Sequence, residues 1–187
     1  AAQQEYEKAQ AGPRDEDVAS GEAQLKALQE DAKHVDYLLS QAEHDPLACA
    51  ILITDDETLA NKVADEVEVQ LQKLPRKEIA AQSLAVQGKI ILAKDMDTVV
   101  DMANISAPEH MEINTREPFA LVPKIRNAGA IFLGAYSPEP LGDYYAGPNH
   151  ILPTGGTARF YSVLNVETFM KKTSIISYTR EALAEAA

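Results

Sequence analysis

The sequence predicts an α/β domain with a largely parallel sheet and helices on both faces. Three observations carry this expectation. Short β-branched apolar runs, "ACAILIT", "KIILA" and "AIFLG", recur along the chain; segments with apolar residues at helical spacing separate them; and Asp, Gly or Pro punctuates the junctions. Strands that alternate with helices imply βαβ units, whose crossover connections make neighbouring strands parallel. The 187 residues are enough for one domain with a real core.

Residues 1–36 differ in texture from the rest, being polar, rich in Ala, Gln and Glu, and broken at Gly12-Pro13. They read as a helical lead-in or linker, and residues 37–187 as the α/β domain. In the lead-in only Leu25 and Leu28 make even a thin apolar stripe, and His34 is expected to face solvent. Val35, Leu38, Leu39 and Ala42 then stand at helical spacing, in a helix that Pro46 stops. "ACAILIT" is a buried strand, followed by a helix capped at Thr54 or Asp55 that keeps Leu59, Val63, Val67 and Leu71 on one face. "RKEIAAQSLAVQ" is helical up to Gly88, and "KIILA" is a second buried strand. "DMDTVVDMANISA" starts from an Asp cap and ends at Pro108. A short strand "MEIN", a helical "PFALVPKIRNA" stopped at Gly129 and the strand "AIFLG" follow. Beyond Gly134 the chain is loop-rich, then helical in "VETFMKKT", extended in "SIISY" and capped in "TREALAEAA".

Composition removes several function classes. Hydrophobic residues at 45 % and charged residues at 25 % place the chain away from disorder. A net charge of -12 provides no basic footprint for nucleic acid or for an anionic membrane. No stretch approaches the ~20 apolar residues of a membrane span, and no apolar leader opens the sequence, so a cytoplasmic protein is expected. The single cysteine, Cys49, excludes an internal disulfide and reads as a buried small hydrophobe.

Candidate chemistry falls on loops and helix ends, where open α/β sheets carry their sites. Gln41 and His44, at i and i+3, could present an amide oxygen and an imidazole nitrogen to one metal; a helix-end histidine interacting with the helix dipole is the commoner arrangement. Glu109 and His110 follow Pro108. In a loop they could converge as a proton-transfer pair; a solvated glutamate beside a packed histidine in a turn is the commoner arrangement. Asp143 and His150 lie in the long loop after "AIFLG" and could complete a ligand set or bind a polar substrate. Gly155 and Gly156 would allow close backbone approach, but no P-loop and no GxGxxG after a strand is present.

The strings "LLSQAEHDP", "APEHMEI", "KIRNAGAIFLGAYSPEPLGDYYAGPNHILPTGGTARF" and "KKTSIISY" together closely resemble the histidinol dehydrogenase family, in register from about Tyr37 to the end. The resemblance implies a zinc- and NAD-dependent enzyme of histidine biosynthesis that oxidises L-histidinol through the aldehyde to L-histidine, here as an incomplete Rossmann-like domain. By motif, Gln41, His44 and Asp143 match zinc ligands, and Glu109 and His110 match the acid/base pair. His110 and His150 match the substrate pocket, where Gln41, His44 and Asp143 would also meet the substrate through the metal. The family chain is more than twice as long, and the resemblance assigns most NAD contacts and a fourth ligand to segments with no match here. The expectation is therefore a chain impaired or inactive by itself, self-associating as a homodimer or otherwise. The alternative is a non-catalytic zinc- or imidazole-binding or oligomerisation module derived from that family.

Overall fold

The computed structural model describes residues 34–186, so the expected lead-in lies outside the described residues except for its last three. Residues 34–44 form α1, which buries Val35, Leu39 and Ala42, the stripe that a 3.6-residue period places on one face. His34, at its start, is half-buried and does not face solvent as expected. Before Pro46 the chain turns on Asp45, whose side chain accepts the Leu47 N–H at 2.7 Å. β1 is Ile51–Thr54. Its last residue is still in the ladder, because the Thr54 carbonyl accepts the Ala93 N–H at 2.8 Å. The chain needs two more residues to leave the strand, so the cap of α2 (Glu57–Leu71) is Asp56, in place of Thr54 or Asp55, and it accepts from the Thr58 and Leu59 N–H groups.

α3 (Lys77–Val86) buries Ala80 and Ser83, and the Ser83 hydroxyl donates to the Ala48 carbonyl at 2.9 Å. Together α1, β1, α2 and α3 enclose a core of Val35, Leu39, Ala42, Ala50, Val63 and Leu71. β2 (Lys89–Leu92) pairs parallel to β1, Ile51 opposite Lys89. It is not the buried strand expected, since Ile90 and Leu92 are exposed. Cys49 is exposed too and is not the buried small hydrophobe expected; its thiol lies 3.4 Å from the Gln87 carbonyl.

α4 (Met96–Ser106) is capped by Asp95, held below its usual carboxylate range chiefly by the Thr98 hydroxyl and N–H. β3 (His110–Ile113) and β4 (Ala130–Leu133) pair parallel, with His110 opposite Ala130 and Glu112 opposite Phe132. The expected helix between them is short: α5 (Pro118–Leu121) passes into a 3-10 turn, Val122–Lys124, because Pro123 has no N–H to continue the ladder. Beyond it, buried Asn104 of α4 holds the chain, donating to the Lys124 carbonyl at 3.0 Å and accepting from the N–H groups of Arg126 and Asn127.

Every strand pair among the described residues is parallel, as an α/β chain requires, but the four strands form two separate pairs, β1-β2 and β3-β4. α6 (Glu139–Tyr144) stands where the sequence suggested loop. The expected helix in "VETFMKKT" contracts to a 3-10 turn, Val166–Phe169, with Asn165 and Thr168 as a capping box. The run at Ser174–Tyr178 makes no strand; Ile175 and Ile176 are 91 % and 82 % exposed, and a β-branched run has no ladder without a neighbouring strand. α7 (Arg180–Ala186) follows, with the Thr179 hydroxyl accepting the Ala182 N–H. No described helix is long and apolar enough to cross a membrane.

Candidate functional site

The approach to His110 is set by backbone. α4 ends at Ala107 in the left-handed region, φ 47 and ψ 59, an uncommon conformation for a residue with a Cβ, and Pro108 then directs the chain into β3. The Pro108 and Glu109 carbonyls accept from the Gly129 and Ala130 N–H groups at 2.9 and 2.8 Å. Gly129 has to be glycine here, because a Cβ would sit 2.5 Å from the Glu109 carbonyl oxygen. Glu109 is therefore clamped at the edge of the ladder and His110 is the first residue of a strand, where both expectations put the pair in a loop ahead of the strand.

The His110 ring rests against Phe132, with centroids 6.0 Å apart and planes tilted by 53°. Its Nδ1 lies 3.3 Å from Oε1 of Gln41 on α1. An amide oxygen only accepts, so Nδ1 is the donor in this contact, and in the neutral ring that tautomer leaves the lone pair on Nε2. α6 supplies two carboxylates, Glu139 and Asp143, one helical turn apart and so on one face. Ligand atoms of His110, Glu139 and Asp143 all lie within 4.8 Å of one another.

Burial first, then the hydrogen bond and charge of Asp143 and the charge of Glu109, push the Glu139 carboxyl up to about 7. Glu112, two residues along β3 from His110, is pushed up to about 7 by burial, against opposing hydrogen bonds from the Glu139 N–H and from Asn114. Tyr37 on α1 is raised by burial and by the nearby charges of Glu112 and Asp36. An imidazole nitrogen, an amide oxygen and closely spaced carboxylates form a donor set for a divalent cation, which would relieve the repulsion. The Glu139 and Glu112 carboxyls, raised to about 7, can hold and pass protons near neutral pH.

The sequence-derived candidates separate into two groups. Gln41 and His110 are hydrogen-bonded, Asp143 stands in the cluster, and Glu109 is close enough for its charge to act on Glu139. His44, at the exposed end of α1, and His150, exposed beyond α6, are not members of the cluster. Glu139 and Glu112 escaped sequence reasoning. The signal for Glu139 was present as the i, i+4 pair in "EPLGDY", but two prolines disguised a helix whose first turn tolerates proline. The signal for Glu112 was its i+2 relation to His110 on a strand.

Comparison with known proteins supplies the remaining findings. A family model described as histidinol dehydrogenase matches residues 26–187. A histidinol dehydrogenase from Heliobacterium mobile is 51 % identical over 180 residues, 94 % of this chain and 42 % of that protein. One from Bacillus licheniformis is 61 % identical over 145 residues, covering 78 % of this chain and 34 % of the relative. The crystal structure of histidinol dehydrogenase from Elizabethkingia anophelis superposes with a TM-score of 0.72 at 37 % identity, over 83 % of this chain and 36 % of the other. This chain thus spans well under half the length of these relatives.

Proposed function

The chain belongs to the histidinol dehydrogenase family, and from that premise we propose that it carries the metal-binding and proton-transfer part of a site that oxidises L-histidinol by way of the aldehyde to L-histidine. The observation that carries the reading is the meeting of Gln41, His110, Glu139 and Asp143, which come from α1, β3 and α6. The donor types fit zinc: Gln41 and Asp143, both at the cluster, would hold it, with Glu139 one turn from Asp143, and His44, which lies outside the cluster, is proposed as a further ligand on the family motif alone. Zinc would supply Lewis-acid polarisation of the bound hydroxyl and orientation of the substrate's imidazole and amino groups.

The chain's own residues handle protons. His110, with Nε2 unprotonated, takes the proton of the alcohol, and the Gln41 contact at Nδ1 fixes the tautomer that allows it. Glu109, clamped through its carbonyl by Ala130, activates the water that adds at the aldehyde stage. His150 is the proposed further substrate contact. NAD is the proposed electron acceptor, but the βα turns after β1 and β2 do not fit its pyrophosphate: Asp56 and Asp95 already occupy the helix N–H groups there with carboxylates. We place the protein in the cytoplasm and expect self-association through the segment after α6, where Phe160, Phe169, Met170, Ile175, Ile176 and Tyr178 are exposed.

The test is zinc titration by calorimetry, followed by NADH production from L-histidinol and NAD. The reading expects zinc to bind, and His44→Ala to weaken binding by ~10-fold or more, as loss of one ligand does. Unchanged affinity in that variant would remove His44 from the site. The short span relative to its relatives favours a second reading, a zinc- or imidazole-binding module without turnover. Zinc and histidinol binding with no NADH would select it.

A further inference from the structure

We propose that Glu112 is a positioning residue, the anchor that docks α6 onto β3 and thereby holds Glu139 and Asp143 beside His110. The inference rests on the metal and proton-transfer reading above. α6 has six residues, too few to be stable by itself, and nothing in its own sequence caps it. Its N-cap is Pro138, which has no side-chain acceptor; the Glu139 N–H is one of the orphan donors of the first turn, and Pro140 has no N–H. The missing acceptor arrives from 27 residues earlier: Oε1 of Glu112 accepts the Glu139 N–H at 3.3 Å.

Glu112 is suited to couple α6 to His110. The two residues are i and i+2 on β3 and so share a face, and Glu112 is paired in register with Phe132. Phe132 contacts the His110 ring and also packs against Gly142, where a Cβ would come 2.6 Å from the Phe132 ring. α6 is thus fixed at its first residue by Glu112 and beside Asp143 by Phe132. Both fixtures stand on the β3-β4 pair that carries His110.

A carboxylate is an expensive choice in this half-buried place, since burial raises Glu112 to about 7. What α6 lacks is an acceptor oxygen, and an amide would provide one as well. Asn114 donates to Oε2 of Glu112 at 3.5 Å, while its own Oδ1 is buried with no hydrogen-bond partner. With glutamine at 112, a turned Asn114 amide could accept from the new NH2 group, so Glu112→Gln should keep the anchor and Glu112→Ala should lose it.

The experiment compares the complete chain with E112Q and E112A by amide hydrogen exchange and by zinc titration calorimetry. E112A is expected to speed exchange of the Glu139 amide at least ~10-fold while the β1-β2 amides stay as they were, and to weaken zinc ~10-fold, the usual loss when a supporting partner is removed. E112Q should restore both to within about threefold of the unsubstituted chain, because it retains the acceptor. Unchanged Glu139 exchange in E112A, or E112Q as impaired as E112A, would overturn the proposal. If the unsubstituted chain binds no zinc, the metal reading fails alone, and the exchange arm still decides whether Glu112 docks α6. Should E112A not fold, Glu139 exchange in E112Q decides: slow supports the anchor, fast refutes it.

Discussion

Replacing Asn104 by alanine should destabilise the half of the molecule that carries the site, without touching the site. Asn104 is 3 % exposed and its side chain makes three hydrogen bonds, one to the Lys124 carbonyl and two from the Arg126 and Asn127 N–H groups. Each such bond contributes about 1 kcal/mol net, and the deletion leaves backbone groups unpaired, so Asn104→Ala should cost about 3 kcal/mol. For a chain of this size that corresponds to a melting temperature lower by roughly 6–12 °C. Asn104→Asp retains the acceptor for Arg126 and Asn127 but loses the donor to Lys124, and should fall between. Urea unfolding followed by circular dichroism measures the loss, and amide exchange at Arg126 and Asn127 should accelerate in parallel. An unfolding free energy for Asn104→Ala within about 0.5 kcal/mol of the unsubstituted chain would refute the claim that this side chain holds the connection to β4.

Gly129→Ala should be severe, because the obstructing atom is the Glu109 backbone carbonyl, 2.5 Å from the added Cβ, and backbone cannot rotate away; a cost of about 2 kcal/mol or more in the same urea assay is expected. Gly142→Ala meets the Phe132 ring at 2.6 Å, so it should lift α6, and its signature is weaker zinc binding with a smaller loss of stability than Gly129→Ala causes. The metal-free chain should lose stability as pH rises from about 4.5 to about 7. Glu112 and Glu139 have folded-state values raised above their ordinary 4.5, so the folded chain holds more protons in that window, and their contribution is complete only below it. Glu112→Gln should flatten this decline, and a stability that climbs steadily from pH 5 to 7 would contradict it. Zinc binding near pH 6 should release protons from the same carboxylates, read as a calorimetric heat that varies with the ionisation enthalpy of the buffer.

Much of the fold was legible along the chain. The Asp95 cap of α4, the apolar stripe of α1 and the position of β4 each follow from a few neighbouring residues, and the structure forms them. Where expectation and structure part, a distant partner decides. "SIISY" has strand composition but no neighbouring strand, "PFALVPKIRNA" is cut short by Pro123 and by Asn104 from another helix, and "EPLGDY" becomes helical with Glu112 accepting at its first residue.

The site divides in the same way. Residue types and motifs pointed to Gln41, His44, Glu109, His110, Asp143 and His150, and to the family, because those signals are written in short runs. Only tertiary structure could set Gln41 against His110 across 69 residues, add Glu139 to the cluster, and leave His44 and His150 outside it. The physical reason is range: caps, turns and periodicity act within a helical turn or two, whereas a raised carboxyl pKa, a donor set or a borrowed cap depends on which elements the cores at α1 and at the β3-β4 pair bring together.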